Sequence, residues 1–303
     1  KPSKVLTYSA VLMKPPDSRN IMHYLKFAPL VMGLLACGCT TPEKSVYIYD
    51  PSGPLPGHSN HGDAFNAGPR QAAYFIGGTG NVSFPITTSS PEAQKFFNQG
   101  VGQLHGFWYL EAERSFRQVL TLDPGNPMAY WGIVMANANN RKRAKEIIGK
   151  AVANRERVSK REQMWIDATD AHQKESDGKK RKAILLKAYH DISAKFPNDL
   201  EAKAFLALQM YRNVKSKKNY AAIEKLIANI LAKNPRHPCH HYRIHLWDYK
   251  DPKQAVPSIG QCGQASPSIA HMWHMPGHIL SRLKRYHDAT WQQEASARVD
   301  HAN

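Results

Sequence analysis

Cysteine is scarce in this chain, and the apolar run near its N-terminus is short. Only four of the 303 residues are cysteine, and two of them, Cys37 and Cys39, directly follow the apolar run 27–36. Cys239 and Cys262 remain, so one disulfide at most could form and a disulfide scaffold is excluded. The run 27–36 has 10 residues, about half of the length that a helix needs to span a bilayer.

Acidic residues are outnumbered by basic ones. The 24 Asp and Glu stand against 41 Lys and Arg, for a formal net charge of +17. The excess is diffuse: residues 141–187 hold 15 basic and 7 acidic residues at the spacing of solvated helix faces. An anionic polymer or surface is a partner to consider, and nucleic acid is not expected.

The common catalytic motifs are also missing. The sequence has no nucleophile elbow, phosphate loop, His-Glu-x-x-His motif or recognisable carboxylate pair,. Residues 74–80 mimic a strand entering a glycine-rich turn, but Pro85 and a strand-like segment follow where a dinucleotide site needs a helix. The sequence favours a protein that is not an enzyme without deciding the question, and it assigns no catalytic residue.

The N-terminal 39 residues have the order of an export signal. A short polar stretch after Met22 precedes the apolar run, which ends in Leu-Leu-Ala-Cys at Cys37,. This ending resembles a bacterial lipobox, which implies lipidation of Cys37 and a membrane-anchored protein of the cell envelope. Residues before Met13 or Met22 are interpreted as read-through. Residues 40–89, rich in proline, glycine and serine, are expected to be an irregular linker.

From residue 90 onward the pattern is helical. Ser89 or Ser90 can cap a first helix that has Pro91 in its first turn,. Apolar residues then recur every three or four positions, and prolines at 124, 197 and 235 each close a helix pair,. We therefore predict an all-α domain of about six helix pairs over residues 90–303.

Two segments resemble the tetratricopeptide repeat, a helix–turn–helix unit of 34 residues. In the first, Phe96, Gly100, Ala112, Phe116 and Pro124 fall at repeat positions 4, 8, 20, 24 and 32. In the second, the preferred residue types stand at positions 4, 8, 17 and 20, occupied by Trp273, Gly277, Tyr286 and Ala289. The resemblance implies a solenoid with a concave surface that binds a peptide or protein.

These two segments also resemble uncharacterised bacterial proteins, notably of planctomycete type. Their apparent greater length implies that the domain is truncated at its C-terminus, and they imply no substrate. In the repeat register Phe97, Val101, His271, His274 and His278 are candidates for lining the concave groove.

Histidine is concentrated near the C-terminus: nine of the 15 histidines follow Arg236. His271, His274 and His278 share one helix face, and His241 and His245 lie one turn apart on the preceding repeat. A register starting at His237 turns the latter two toward the concave side, whereas one starting at Pro238 turns them toward the core. Isolated histidines such as His105 and His172 are interpreted as packing or surface residues.

The five clustered histidines are candidate ligands of a zinc, copper or nickel ion. They are His241, His245, His271, His274 and His278. Two features count against this interpretation: Pro276 is expected to kink the second helix, and no carboxylate stands beside the histidines. The alternatives are a polar groove in which the rings form hydrogen bonds, and acid–base catalysis. The leading functional hypothesis is a lipid-anchored scaffold that binds a peptide, and the alternative is a metal-binding or metal-dependent helical-repeat protein.

Overall fold

The computed structural model describes residues 73–138, 140–213 and 216–302, and within them it contains α-helices, two short 3-10 helices and no β-strand. The prediction of an all-α fold is confirmed for these residues. The expected signal segment, Cys37 and most of the expected linker lie outside them. The helices are α1 (Pro91–His105), α2 (Tyr109–Leu122), α3 (Pro127–Ala136), α4 (Arg141–Ala153), α5 (Lys160–Lys174), α6 (Gly178–Lys195), α7 (Leu200–Asn213), α8 (Lys217–Lys233), α9 (His240–Trp247), α10 (Val256–Ala265), α11 (Ala270–Arg282) and α12 (Tyr286–Ala302).

Local sequence signals set many of the helix ends. The hydroxyl of Ser90 accepts a hydrogen bond from the backbone N–H of Ala93, so Ser90 and not Ser89 caps α1,. Ser159 and Glu162 form a reciprocal capping box at the start of α5,. The prolines at 124, 197 and 235 follow α2, α6 and α8 within two residues, as predicted,. Pro276 lies inside α11, which continues to Arg282.

The helices form six consecutive pairs. Each helix contacts the next one along the chain, and odd-numbered helices also contact each other, α1 with α3, α3 with α5, α7 with α9 and α9 with α11. Trp165 and Phe205, whose ring centroids lie 5.5 Å apart, make the corresponding contact between α5 and α7. The odd-numbered helices therefore line one side of the array, and side chains from distant pairs meet there.

Residues 73–89, here called the N-terminal strap, are extended and pack against this array. Phe84 is fully buried, and its ring lies 5.3 Å from the rings of Phe97, Trp131 and Trp165. Thr87 donates hydrogen bonds to Glu162 at the start of α5. This part of the expected linker is irregular, as predicted, but it belongs to the folded core and is not a free tether.

The strap changes the role of two groove candidates. Phe97 and Val101 have no exposed area, because Phe84 from the strap and Phe116 from α2 pack around Phe97. The assignment of Phe97 and Val101 to an open groove is therefore wrong in this structure. An aromatic core occupies the place where the groove was expected.

Within the described residues, no helix combines the length and the apolar character needed to cross a membrane.

Candidate metal centre

Three of the five candidate histidines converge between α9 and α11. His241 and His245 lie one turn apart on α9, and His271 lies in the first turn of α11. One ring nitrogen of each lies within 4.8 Å of the other two. These residues are called the three-histidine group.

The three-histidine group contains polar atoms that no described residue satisfies. The Nε2 atoms of His241, His245 and His271 are all buried, and each lacks a hydrogen-bond partner. A buried nitrogen without a partner costs about 1 to 3 kcal/mol, so a ligand that satisfied all three atoms would stabilise the cluster. The cluster is suited to a ligand that accepts three nitrogen lone pairs at once.

The tautomer of His241 is fixed by the backbone. Its Nδ1 lies 2.7 Å from the carbonyl oxygen of His105. A carbonyl oxygen only accepts, so Nδ1 carries the proton and Nε2 presents its lone pair to the cluster. Hydrogen bonds of this kind orient the imidazole ligands of metal ions.

The rings of the three-histidine group are neutral near pH 7. Burial lowers the pKa of His245 and of His271 to about 4, and neighbouring imidazoles add to the effect. Burial, followed by His245 and His271, also holds the pKa of His241 well below its ordinary value. Neutral imidazole is the form that binds a metal ion, so no proton has to be removed first.

Phe107 closes one side of the three-histidine group. Its ring centroid lies 4.5 Å from that of His241, 5.4 Å from that of His245 and 6.1 Å from that of His271. The backbone of Phe107 has φ = 58°, a left-handed conformation that is unusual for a bulky residue. Such strain is often found at functional sites, and here it places an aromatic ring against all three imidazoles.

A second histidine cluster lies next to the first and is fully buried. His105 from α1, Glu201 from α7 and His237 before α9 form this cluster, called the glutamate network. Nε2 of His105 donates to Glu201 at 2.7 Å, and Nε2 of His237 donates to the same carboxylate at 3.3 Å. The backbone N–H of Ser83 in the strap also donates to it.

All ring nitrogens of the glutamate network have partners. The hydroxyl of Tyr242 lies 2.6 Å from Nδ1 of His105, and the backbone N–H of Cys239 donates to Nδ1 of His237. Burial alone would raise the pKa of Glu201, but His237 and the hydrogen bonds from both rings outweigh it and hold that pKa below its ordinary value,. Because Nδ1 of His237 accepts from a backbone amide, its Nε2 must carry the proton, which leaves no lone pair for a metal.

The remaining two candidates pair with each other. Nε2 of His278 lies 2.8 Å from Nε2 of His274, while the Nδ1 atoms lie 3.2 Å from Asp248 and 2.6 Å from the Gln293 side-chain oxygen, respectively. His274 and His278 are therefore neighbours of the three-histidine group and are not members of it.

The sequence also gives no signal for several residues that surround the candidate site. Glu201 stands in no recognisable motif, and its partners lie 96 and 36 residues away. The isolated position of His105 in the sequence predicts a packing or surface residue, but its buried ring joins the glutamate network and its carbonyl accepts from His241. Phe107 carries no sequence signal at all, since its role depends on its backbone conformation.

Comparison with known proteins gives no assignment: the chain matches no protein-family model and no curated protein.

Proposed function

We propose that this protein binds a divalent transition-metal ion through His241, His245 and His271. Two observations carry the proposal: one ring nitrogen of each histidine lies within 4.8 Å of the other two, and the Nε2 atom of each ring is buried without a partner. Tetrahedral zinc, with bonds of about 2.0 to 2.1 Å, separates its ligand atoms by about 3.4 Å. Ring nitrogens within 4.8 Å of each other need to approach by at most about 1.4 Å to reach that geometry.

Three imidazole ligands suit zinc, copper, nickel or cobalt. Among the described residues, no fourth His, Cys, Asp or Glu joins the cluster. A tetrahedral ion held here therefore keeps one position for water or for an oxygen or nitrogen atom of another molecule, as in catalytic zinc sites. The site supports metal-dependent chemistry at that open position.

The experiment is a titration of metal-free protein with Zn²⁺ and Co²⁺, followed by calorimetry and by the visible spectrum of cobalt. We expect one ion per chain with a dissociation constant of about 1 μM or tighter and a spectrum of tetrahedral nitrogen coordination. Replacing His241, His245 or His271 by alanine should weaken binding by more than about 100-fold, since ligand removal should exceed the 10 to 100-fold loss typical of outer-shell changes.

His287→Ala and His301→Ala are matched controls, because both histidines are exposed on α12. Circular dichroism of each variant separates loss of the site from loss of the fold. Equal metal content in the wild type and in a folded triple variant of the three ligands would exclude the proposal.

We further propose that the helical array is of the tetratricopeptide type and is anchored through Cys37. Support for the repeat comes from the close helix approaches at its glycines: a Cβ at Gly100 would lie 2.7 Å from Phe116, and one at Gly277 would lie 2.1 Å from Gln293. Support for the anchor comes from the sequence alone, through the resemblance to a lipobox. Mass spectrometry of the mature N-terminus tests the anchor, and an unmodified Cys37 would refute it. A peptide ligand on the concave side stays a prediction.

A further inference from the structure

A cavity of about 460 Å³ opens among α3, α5, α6 and α7 beside the end of α1. It is distinct from the three-histidine group, because none of the three ligands lines it. Leu104, Val134, Leu185 and Phe205 provide apolar walls, which suit the carbon part of a small molecule. Its volume lies in the range of sites for small organic ligands.

The polar side of this cavity is cationic. Arg181 and Lys182 from α6 and Arg212 from α7 line it, and no Asp or Glu among the described residues does. None of these three side chains forms an ion pair with a carboxylate of the described residues. Three basic groups around an apolar pocket therefore have no internal counter-charge in the described part of the chain.

Two buried polar atoms at this cavity also lack partners. Nε of Arg181 is buried without a hydrogen bond, and so is Oε1 of Gln173, whose residue is 6% exposed. The guanidinium can donate to an oxyanion, whereas an amide oxygen needs a donor. The complementary ligand carries both kinds of group.

We infer that this cavity binds a small organic anion, with a carboxylate or phosphate group held by Arg181, Lys182 and Arg212 and a hydroxyl or amino group donating to Gln173. The site adjoins the candidate metal centre without depending on it. The guanidinium of Arg212 lies 5.4 Å from the ring centroid of Phe107, whose ring also contacts the three histidines. The inference is therefore testable in metal-free protein.

The experiment is calorimetric titration of metal-free full-length protein in a buffer without carboxylate or phosphate. Malate and glycerol 3-phosphate are the anionic probes, and succinamide and glycerol are the neutral controls. We expect saturable binding of at least one anion and none of the neutral molecules. Binding of malate alone assigns a carboxylate ligand, binding of glycerol 3-phosphate alone assigns a phosphate ester, and binding of both assigns a general oxyanion site.

Succinate tests the hydrogen-bond donor, since it is malate without the hydroxyl group. We expect succinate to bind about tenfold more weakly than malate, because Oε1 of Gln173 then stays unpartnered. In Gln173→Leu this difference should disappear.

Arg181→Gln tests the cationic wall and should weaken anion binding by at least about tenfold. Arg285→Gln is the matched control, because Arg285 is exposed and pairs with Asp288 on α12. Lys182→Gln, at an exposed position, provides a second variant if Arg181→Gln fails to fold. No saturable binding of either anion, equal binding of the neutral molecules, or unchanged affinity in the folded Arg181 and Lys182 variants would overturn the inference.

Discussion

Two histidine clusters lie side by side in this protein, and they differ in what the backbone offers to one ring nitrogen. In the three-histidine group, a carbonyl oxygen accepts from Nδ1 of His241 and leaves Nε2 with a lone pair. In the glutamate network, a backbone amide donates to Nδ1 of His237 and forces the proton onto Nε2. The same side chain is thereby prepared as a metal ligand in one cluster and as a hydrogen-bond donor in the other.

The clusters are also connected through a single residue. The ring of His105 belongs to the glutamate network, while its carbonyl oxygen orients His241. We infer that the glutamate network fixes the end of α1 and so holds that carbonyl in place. The satisfied cluster then supports the unsatisfied one, and matched substitutions should separate stability from metal binding.

The largest effect on stability is expected from His105→Leu. The change removes a donor from the buried carboxylate of Glu201 and leaves the Tyr242 hydroxyl without its acceptor. Breaking a buried charged hydrogen bond in this way should lower the free energy of unfolding by about 3 kcal/mol. Urea denaturation of the metal-free protein measures the loss.

His190→Leu serves as the control for that substitution, because the side chain of His190 is exposed on α6; it should change stability by less than about 0.5 kcal/mol. Folded His105→Leu protein should still bind metal but more weakly, because the backbone carbonyl that accepts from His241 remains while the network that holds it is broken. A loss below about 1 kcal/mol would mean that the glutamate network contributes little.

A smaller, pH-dependent effect is expected from His172, which belongs to neither cluster. Burial, with the charges of Arg181 and Arg141, lowers the pKa of His172 to about 4. Below pH 6.5 the His172 ring binds a proton in the unfolded chain, whereas in the folded protein it does so only near pH 4,. The free energy of unfolding therefore keeps its full value above pH 6.5 and decreases as the pH falls from 6.5 toward 4.

His172→Gln should therefore flatten the pH dependence of the free energy of unfolding between pH 6.5 and 4 by about 1 kcal/mol, after allowance for its partial exposure to solvent. Urea denaturation at several pH values, in buffers without the anionic probes, measures it. Identical slopes for the wild type and the variant would show that burial does not perturb this ring.

The smallest effect on stability is expected from His245→Leu. Its Nε2 is buried without a partner, and an apolar side chain of similar size removes that cost. The free energy of unfolding of the metal-free protein should change by less than about 1 kcal/mol, in either direction. Metal binding should nevertheless be lost. A destabilisation as large as that of His105→Leu would contradict the prediction, because His245 would then contribute as much to the free energy of unfolding as the glutamate network does.

The sequence predicted the fold class and the number of helix pairs, because these depend on local periodicity, caps and proline. It also singled out all three members of the three-histidine group, since two are one turn apart on α9 and the third shares a helix face with His274 and His278. It could not separate the three from the other two, because that depends on how α9 and α11 are rotated against each other.

Long-range contacts explain the remaining errors. The repeat pattern places Phe97 and Val101 in a groove because it does not reveal that Phe84 packs there. Glu201 was invisible because its partners come from α1, the strap and the turn before α9. A periodic pattern carries no information on such pairings, which depend on where separate segments meet in space.

The strap affects how the domain unfolds. In a linear repeat array each unit contacts only its neighbours, so the ends can fray independently of the middle. Here the carbonyl of Gly78 accepts from the N–H of Ser268, and the N–H of Asn81 donates to the carbonyl of Arg236. The strap is thus hydrogen-bonded to the last helix pairs. These bonds couple the two ends of the array, and they favour a single cooperative unfolding transition over stepwise melting.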